Sequence, residues 1–326
     1  MSDIDDSLLE PFRRLLTDVA TPAAIRAAEK TSGTPAMWGD LEASGFLDAL
    51  LPEKQGGAGL ALDDLFPIVA ATGEFTLPVP FAETMVARAI LASHGAEAPA
   101  GAAIVLAPPS AIIPLAGTAA YALVPRDDRL SLIALKIVGS DPFGAAGGSI
   151  DLESESILSV DAGAIDLMLV AAGLTAAKMA GAMVRLLDMT ISYAQERQQF
   201  GRPLGKFQAI QQQLAVMSEQ VVSARVAARI GMSGGHFDPL RVAMAKCRTS
   251  EASHQVAAIA HAVHGAIGVT EEFDLQLLTR RLKQSQLAFG SEAYWAGRLG
   301  QARLSSDLSN SVDFVRTNLQ DSEITA

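Results

Sequence analysis

Apolar positions recur along this chain with two different periods, and the change between them divides it into three segments. Over residues 1–100 the period is helical: Leu8, Phe12, Leu15 and Leu16 form a stripe at three- and four-residue spacing. Trp38, Leu41 and Leu47 predict a second helix, closed by the loop Leu51-Pro52-Glu53-Lys54-Gln55-Gly56-Gly57-Ala58-Gly59. A third is expected from about Asp63. Pro78 and Pro80 then interrupt the chain before a helix with Phe81, Met85, Ile90 and Leu91 on its apolar side.

Residues 101–160 read differently. The runs 102–106, 120–124 and 130–136 are short and apolar, bounded by Pro, Gly and Asp, which predicts strands. Arg126-Asp127-Asp128 reads as the turn between two of them, and Ser140-Asp141-Pro142 and Gly147-Gly148-Ser149 as further turn chemistry. So short a block is expected to need its neighbours to stay folded.

From residue 161 to 320 the helical period returns. Met179, Met183, Leu186, Leu187, Thr190 and Tyr193 share one face of a long helix, and Phe207, Ile210, Leu214, Met217 and Val221 step along the next. Residues 231–235 end that helix. Asp238-Pro239 supplies an N-cap and a first-turn proline for a helix reaching about Val263. Gly265 and Gly268 close it, and Thr270 with Glu271 and Glu272 is expected to open another. The tail, 321–326, is expected to fray. The fold class is therefore mostly α with a small β domain: an N-terminal helical domain (1–100), a shortened middle β domain (101–160) and a C-terminal four-helix bundle (161–320).

Composition sharpens this. The 326 residues are 49% hydrophobic but only 5% aromatic, so small aliphatic side chains must fill the core and helices must pack closely. The formal charge is −11, which argues against nucleic acid and anionic membranes as partners. A single Cys247 cannot make an internal disulfide, and the acidic start lacks a signal-peptide layout; a cytoplasmic protein is expected. No uncharged apolar run is long enough to span a bilayer.

Candidate chemistry concentrates in the run Glu196-Arg197-Gln198-Gln199-Phe200-Gly201-Arg202-Pro203-Leu204-Gly205-Lys206-Phe207-Gln208. Arginine keeps its charge and grips phosphate oxygens with a planar fork, while Phe200 and Phe207 offer flat apolar faces and glycine lets a ligand approach the backbone. Such a set suits a dinucleotide carrying a pyrophosphate and an aromatic ring. A second segment, Ala260-His261-Ala262-Val263-His264-Gly265-Ala266-Ile267-Gly268-Val269-Thr270, runs a helix end into glycines, leaving backbone N–H groups free. His261 and His264 share a helix face but have no third ligand at recognisable spacing, so no metal site is read there. Gly231-Met232-Ser233-Gly234-Gly235 matches the hydrolase Gly-x-Ser-x-Gly pattern in the wrong setting, following a helix instead of a strand, and reads as an interhelical loop.

The run 193–211 closely resembles the flavin-binding segment of acyl-CoA dehydrogenases. The resemblance implies that Arg197, Gln199, Phe200, Phe207 and Gln208, with His264, Gly265 and Gly268 of the second segment, contact FAD held mainly by a neighbouring subunit. The second segment departs from the family, which usually has glutamine where Ala262 stands and glycine where Ala266 stands. The loop after Pro52 and the stretch Pro78-Val79-Pro80-Phe81-Ala82-Glu83-Thr84 are also similar to that group.

Two family features are missing. The catalytic glutamate occupies one of two places in the family, and this chain has Ala171-Ala172-Gly173 at one and Ala288-Phe289-Gly290-Ser291 at the other. Glu292 and Asp166 lie close by, on different helical directions. Nothing over 100–161 matches the motifs that cradle the flavin ring. This pattern resembles the short subunits of heteromeric bacterial acyl-CoA dehydrogenases that act on CoA thioesters of steroid side chains and rings. It implies an α2β2 heterotetramer with a longer acyl-CoA dehydrogenase-like subunit, FAD shared at the unlike interface, an acyl-CoA substrate, and an electron transfer flavoprotein as acceptor. Two other readings stay open: a self-sufficient homo-oligomeric flavoenzyme with a displaced acid such as Glu292, and a purely structural partner subunit.

Overall fold

The computed structural model describes residues 4–31, 34–110, 112–143 and 146–319; the expected fraying at 321–326 lies outside them. The N-terminal helices are α1 (Ile4–Val19), α2 (Pro22–Thr31), α3 (Pro35–Ala43), α4 (Leu65–Glu74) and α5 (Phe81–Ser93). Phe12 and Leu16 of the α1 stripe are fully buried, Phe12 against the rings of Phe46 and Phe81. Two details differ from the periodic reading. Leu47 is not on the helix of Trp38 and Leu41: Gly45, at φ 77°, ends α3, and Leu47 falls in a following 3-10 turn. α2 carries no visible stripe, because alanines supply much of its inner face.

The middle segment forms a four-stranded sheet of order β1-β2-β3-β6, from β1 (Ile104–Leu106), β2 (Tyr121–Arg126), β3 (Arg129–Ala134) and β6 (Ser156–Asp161). β1 and β2 run parallel; the other pairs are antiparallel, and Asp127, at φ 50°, makes the two-residue turn of the β2–β3 hairpin. Beside the sheet lies a ribbon of β4 (Ile137–Ser140) and β5 (Gly148–Ile150). Ser140 and Gly148-Ser149, expected in turns, are thus strand residues. Ladder pairing of Gly139 with Ser149 and Ser140 with Gly148 outweighs their weak β preference. β6 gives a weak strand signal because serine occupies two of its six positions and aspartate a third.

The C-terminal part holds α6 (Leu167–Glu196), α7 (Gln208–Gly231), α8 (Pro239–His264), α9 (Leu275–Leu287), α10 (Glu292–Leu304) and α11 (Ser311–Leu319). Side-chain carboxylates cap α6 and α8: Asp166 accepts from the Met168 and Leu169 amides, and Asp238 from those of Leu240 and Arg241. Thr270 does not open α9. Its hydroxyl donates to the Ile267 carbonyl instead, ending a 3-10 turn over Gly265–Val269, and the helix begins at Leu275. α6 is the one described helix long and apolar enough to cross a membrane, yet 83% of its most apolar window is buried inside the fold.

One core cluster joins the N-terminal helices, the sheet, α6 and α8; a second lies between α6, α7, α8 and α9. α4 and α6 cross so closely that a Cβ on Gly181 would lie 1.8 Å from the Ala70 carbonyl oxygen, and one on Gly73 1.9 Å from that of Lys178. Gly181→Ala should therefore force the two backbones apart and lower unfolding free energy by about 1–3 kcal/mol, checked by urea titration.

Candidate functional site

α6 ends at Glu196, and the next residues turn back on themselves. β7 (Gln198–Gln199) pairs antiparallel with β8 (Arg202–Pro203), leaving Phe200 and Gly201 as a two-residue loop. Both have positive φ, 52° and 79°, as the tightest hairpins require. A phenylalanine in this conformation is rare, and its ring is 90% exposed. The Arg202 guanidinium lies 4.1 Å from the Phe207 ring centre and braces the base of the hairpin, a role the sequence did not single out. Phe200 and Phe207 meet edge to face at 6.2 Å. Gln199 and Gln208 are exposed, and Arg197 is exposed with no side-chain partner among the described residues.

The second segment comes to the same end of the bundle. Tyr193, one turn before Arg197, stacks on His264 with ring centres 4.4 Å apart, and its hydroxyl donates to the His264 carbonyl at 3.4 Å. Phe273 packs on both rings, at 5.9 and 5.0 Å. Gly265 follows at φ 64°, ψ −142°, a conformation open in practice only to glycine, and faces outward. Gly268 is buried: a Cβ there would meet Leu275 at 2.9 Å and His264 at 3.0 Å. His264 is likewise buried, its Nδ1–H donating to the Ala260 carbonyl at 2.8 Å. The structure thus brings Arg197, Gln199, Phe200, Phe207, Gln208 and Gly265 to the surface at one end, and keeps His264 and Gly268 behind them.

The two places where the resemblance would put an acid hold none. Ala171, Ala172 and Gly173 lie in the core, Gly173 against the Phe237 ring. At the α9–α10 corner Phe289 is buried at φ 54°, and Trp295, fully buried, donates to its carbonyl at 3.0 Å. Lys246 of α8, also fully buried, donates to Ser250 Oγ, the Gln286 carbonyl and the Gly290 carbonyl at 3.0, 3.1 and 2.9 Å. Burial lowers its pKa to about 7, with Glu292 and Cys247 pulling the other way. Glu292 accepts from Gln286 Nε2 at 3.1 Å, and Asp166 is spent on capping α6. Neither acid lines the interior cavity of about 40 Å3 between α4, α5, α6 and α9. That cavity borders the Glu83–Lys178 ion pair and Arg281, and has room for a water or so, not for an acyl chain. The serine of the Gly-x-Ser-x-Gly match donates to the Ile230 carbonyl and accepts from Arg241, in the loop between α7 and α8.

Residues 164–303 match the family described as acyl-CoA dehydrogenase, C-terminal domain. Acyl-CoA dehydrogenase IpdE2 of Mycolicibacterium smegmatis is 32% identical, over 89% of this chain and 96% of its own. IpdE2 of Mycobacterium tuberculosis is 33% identical, over 84% and 89%. The chain belongs to the acyl-CoA dehydrogenase family. Among solved structures, a variant of the Tcur3481–Tcur3483 steroid ACAD superposes with a TM-score of 0.80 at 26% identity, over 91% of this chain and 97% of that one. The ChsE4–ChsE5 complex of Mycobacterium tuberculosis gives 0.82 at 22%, over 94% and 99%, and shares the fold. As a member of the family this chain is an oxidoreductase.

Two predictions follow from the site's geometry. Phe200→Ala removes a ring that touches almost nothing of its own chain, so unfolding free energy should change by less than about 0.5 kcal/mol in urea titration. His264 behaves oppositely. Burial lowers its pKa from the usual 6.5, outweighing the hydrogen bond to Ala260, and His261 adds to the fall. The folded state therefore holds this ring neutral, while the unfolded chain takes up a proton as pH drops below 6.5. Stability from this group is present above that pH and lost below it. His264→Phe should flatten the acid side of a Tm-against-pH profile measured from pH 7.5 to 5.

Proposed function

We propose that this chain is the short subunit of a heteromeric FAD-dependent acyl-CoA dehydrogenase that introduces an α,β double bond into a CoA thioester. The observation that carries this reading is the β7–β8 arm: a phenylalanine 90% exposed on a positive φ, beside an arginine whose side chain has no partner among the described residues. An apolar ring and a bare guanidinium so placed fit a ligand seated chiefly in another polypeptide. Arg197 would pair with the pyrophosphate, Phe200 and Phe207 would flank the adenine side, and Gly265 would allow close backbone approach. FAD, where bound, accepts the hydride; proton abstraction falls to an acid of the longer subunit. The filled interior at Ala171–Gly173 and at Phe289 supports that division, since neither place carries an acid and neither Asp166 nor Glu292 lines the cavity beside α6.

The Tcur3481–Tcur3483 relative, described as a steroid ACAD of two named proteins, favours a steroid-derived acyl-CoA as substrate and a longer acyl-CoA dehydrogenase-like chain as partner, in an α2β2 assembly with electron transfer flavoprotein as acceptor. Expressed alone the chain should be colourless and inactive; with its partner it should give a yellow, active complex, read by flavin absorbance and turnover after co-purification. Arg197→Ala in that complex should cut FAD content severalfold while leaving the two chains associated. A lone chain with stoichiometric FAD and turnover would overturn the reading. Unchanged FAD affinity in Arg197→Ala would leave only a structural role.

A further inference from the structure

The outward-facing residues of the arm and of the Gly265 turn belong to different helices, and a ligand touching both needs a fixed distance between them. One residue is bonded to both. The Tyr193 carbonyl accepts from the Arg197 amide at 2.9 Å, closing the last turn before the arm. The Tyr193 hydroxyl reaches the His264 carbonyl, the last peptide before Gly265. Its ring lies flat on the His264 imidazole, 26° from parallel. The imidazole in turn is fixed by Nδ1–H to Ala260, while Phe273 closes the third side. His264 Nε2 is buried with no hydrogen-bond partner among the described residues, so the ring is held by the Nδ1 bond and by the rings packed on it.

Resting on the flavin reading above, we propose that Tyr193 and His264 are positioning residues: their stacked rings set the Arg197–Phe200 arm at a fixed spacing from the Gly265 turn, so that both reach one dinucleotide. Neither side chain contacts that ligand. The hydroxyl bond at 3.4 Å is long, so the rings carry the coupling and the hydroxyl adds little.

The test measures FAD dissociation constants by flavin fluorescence, and Tm separately, on the flavin-loaded native assembly. Tyr193→Leu and His264→Ala should each weaken FAD binding about tenfold, roughly 1.4 kcal/mol. Tyr193→Phe and His264→Phe, which keep stacked rings, should stay within about twofold of the parent. Val256→Ala, in the bundle core away from the stack, serves as the stability control: it should lower Tm comparably and leave FAD affinity in place. Should Tyr193→Leu and His264→Ala fail to assemble, Phe273→Leu gives a milder break of the same cluster and should weaken binding about threefold. Parent-like affinity in whichever of these variants assembles would overturn the proposal, as would weakening by Val256→Ala equal to theirs. Arg197→Ala run alongside separates the two failures. If it weakens FAD binding and the stack variants do not, only the positioning role falls; if it leaves binding unchanged, the flavin reading itself falls.

Discussion

The crossing of α4 over α6 sets the geometry on which the other parts depend. Gly73 and Gly181 bring two backbones to a separation that no side chain could occupy, and the first core cluster grows outward from that contact into the N-terminal helices and the sheet. With 5% aromatic residues the chain has little bulk to fill wider gaps, so close approach is how it reaches interior packing density. α6 runs for thirty residues in all, long enough to carry that fixed frame from the sheet at one end to the β7–β8 arm at the other.

Along this frame, several buried polar groups pair across elements. Lys178 meets Glu83, Gln284 donates to Asp141, and Lys246 binds three acceptors at the α9–α10 corner. Each pairing joins separate elements and leaves little space beside it. A dehydrogenase site needs the opposite, a carboxylate facing an open, acyl-sized cavity. At Ala171–Gly173 and at Phe289 the interior is packed side chain instead, and apolar and cationic groups face outward at the far end of α6. That division suits a chain that completes a site on a neighbour.

The two ends of the molecule also differ in strain. Phe289 takes a positive φ inside the core, where Trp295 and Lys246 bind the backbone around it and the cost is offset by burial. Phe200 takes nearly the same φ with its ring in water, where only the edge contact with Phe207 stands against the cost. The same backbone state is structural at one place and leaves a side chain available at the other.

The chain's own letters determined the helices with strong stripes, α1, α5, α6 and α7, the aspartate cap of α8, and the flavin-type run around Arg197 and Phe200. Each of these is a local pattern, set by side chains within a few positions of one another. The tertiary structure decided the rest. α2 and β6 form because distant partners pair with weakly patterned alanine and serine stretches. Gly148 and Ser149 became strand residues because β4 lies alongside. Thr270 lost its expected cap because Phe273 folds in on His264 before α9 can start. His264 and Gly268, chosen with the exposed residues, proved to stand behind them, because inward or outward direction at a helix end depends on which ring arrives from another helix. Spacing along a sequence records which residues can share a face; only packing between elements chooses what that face meets.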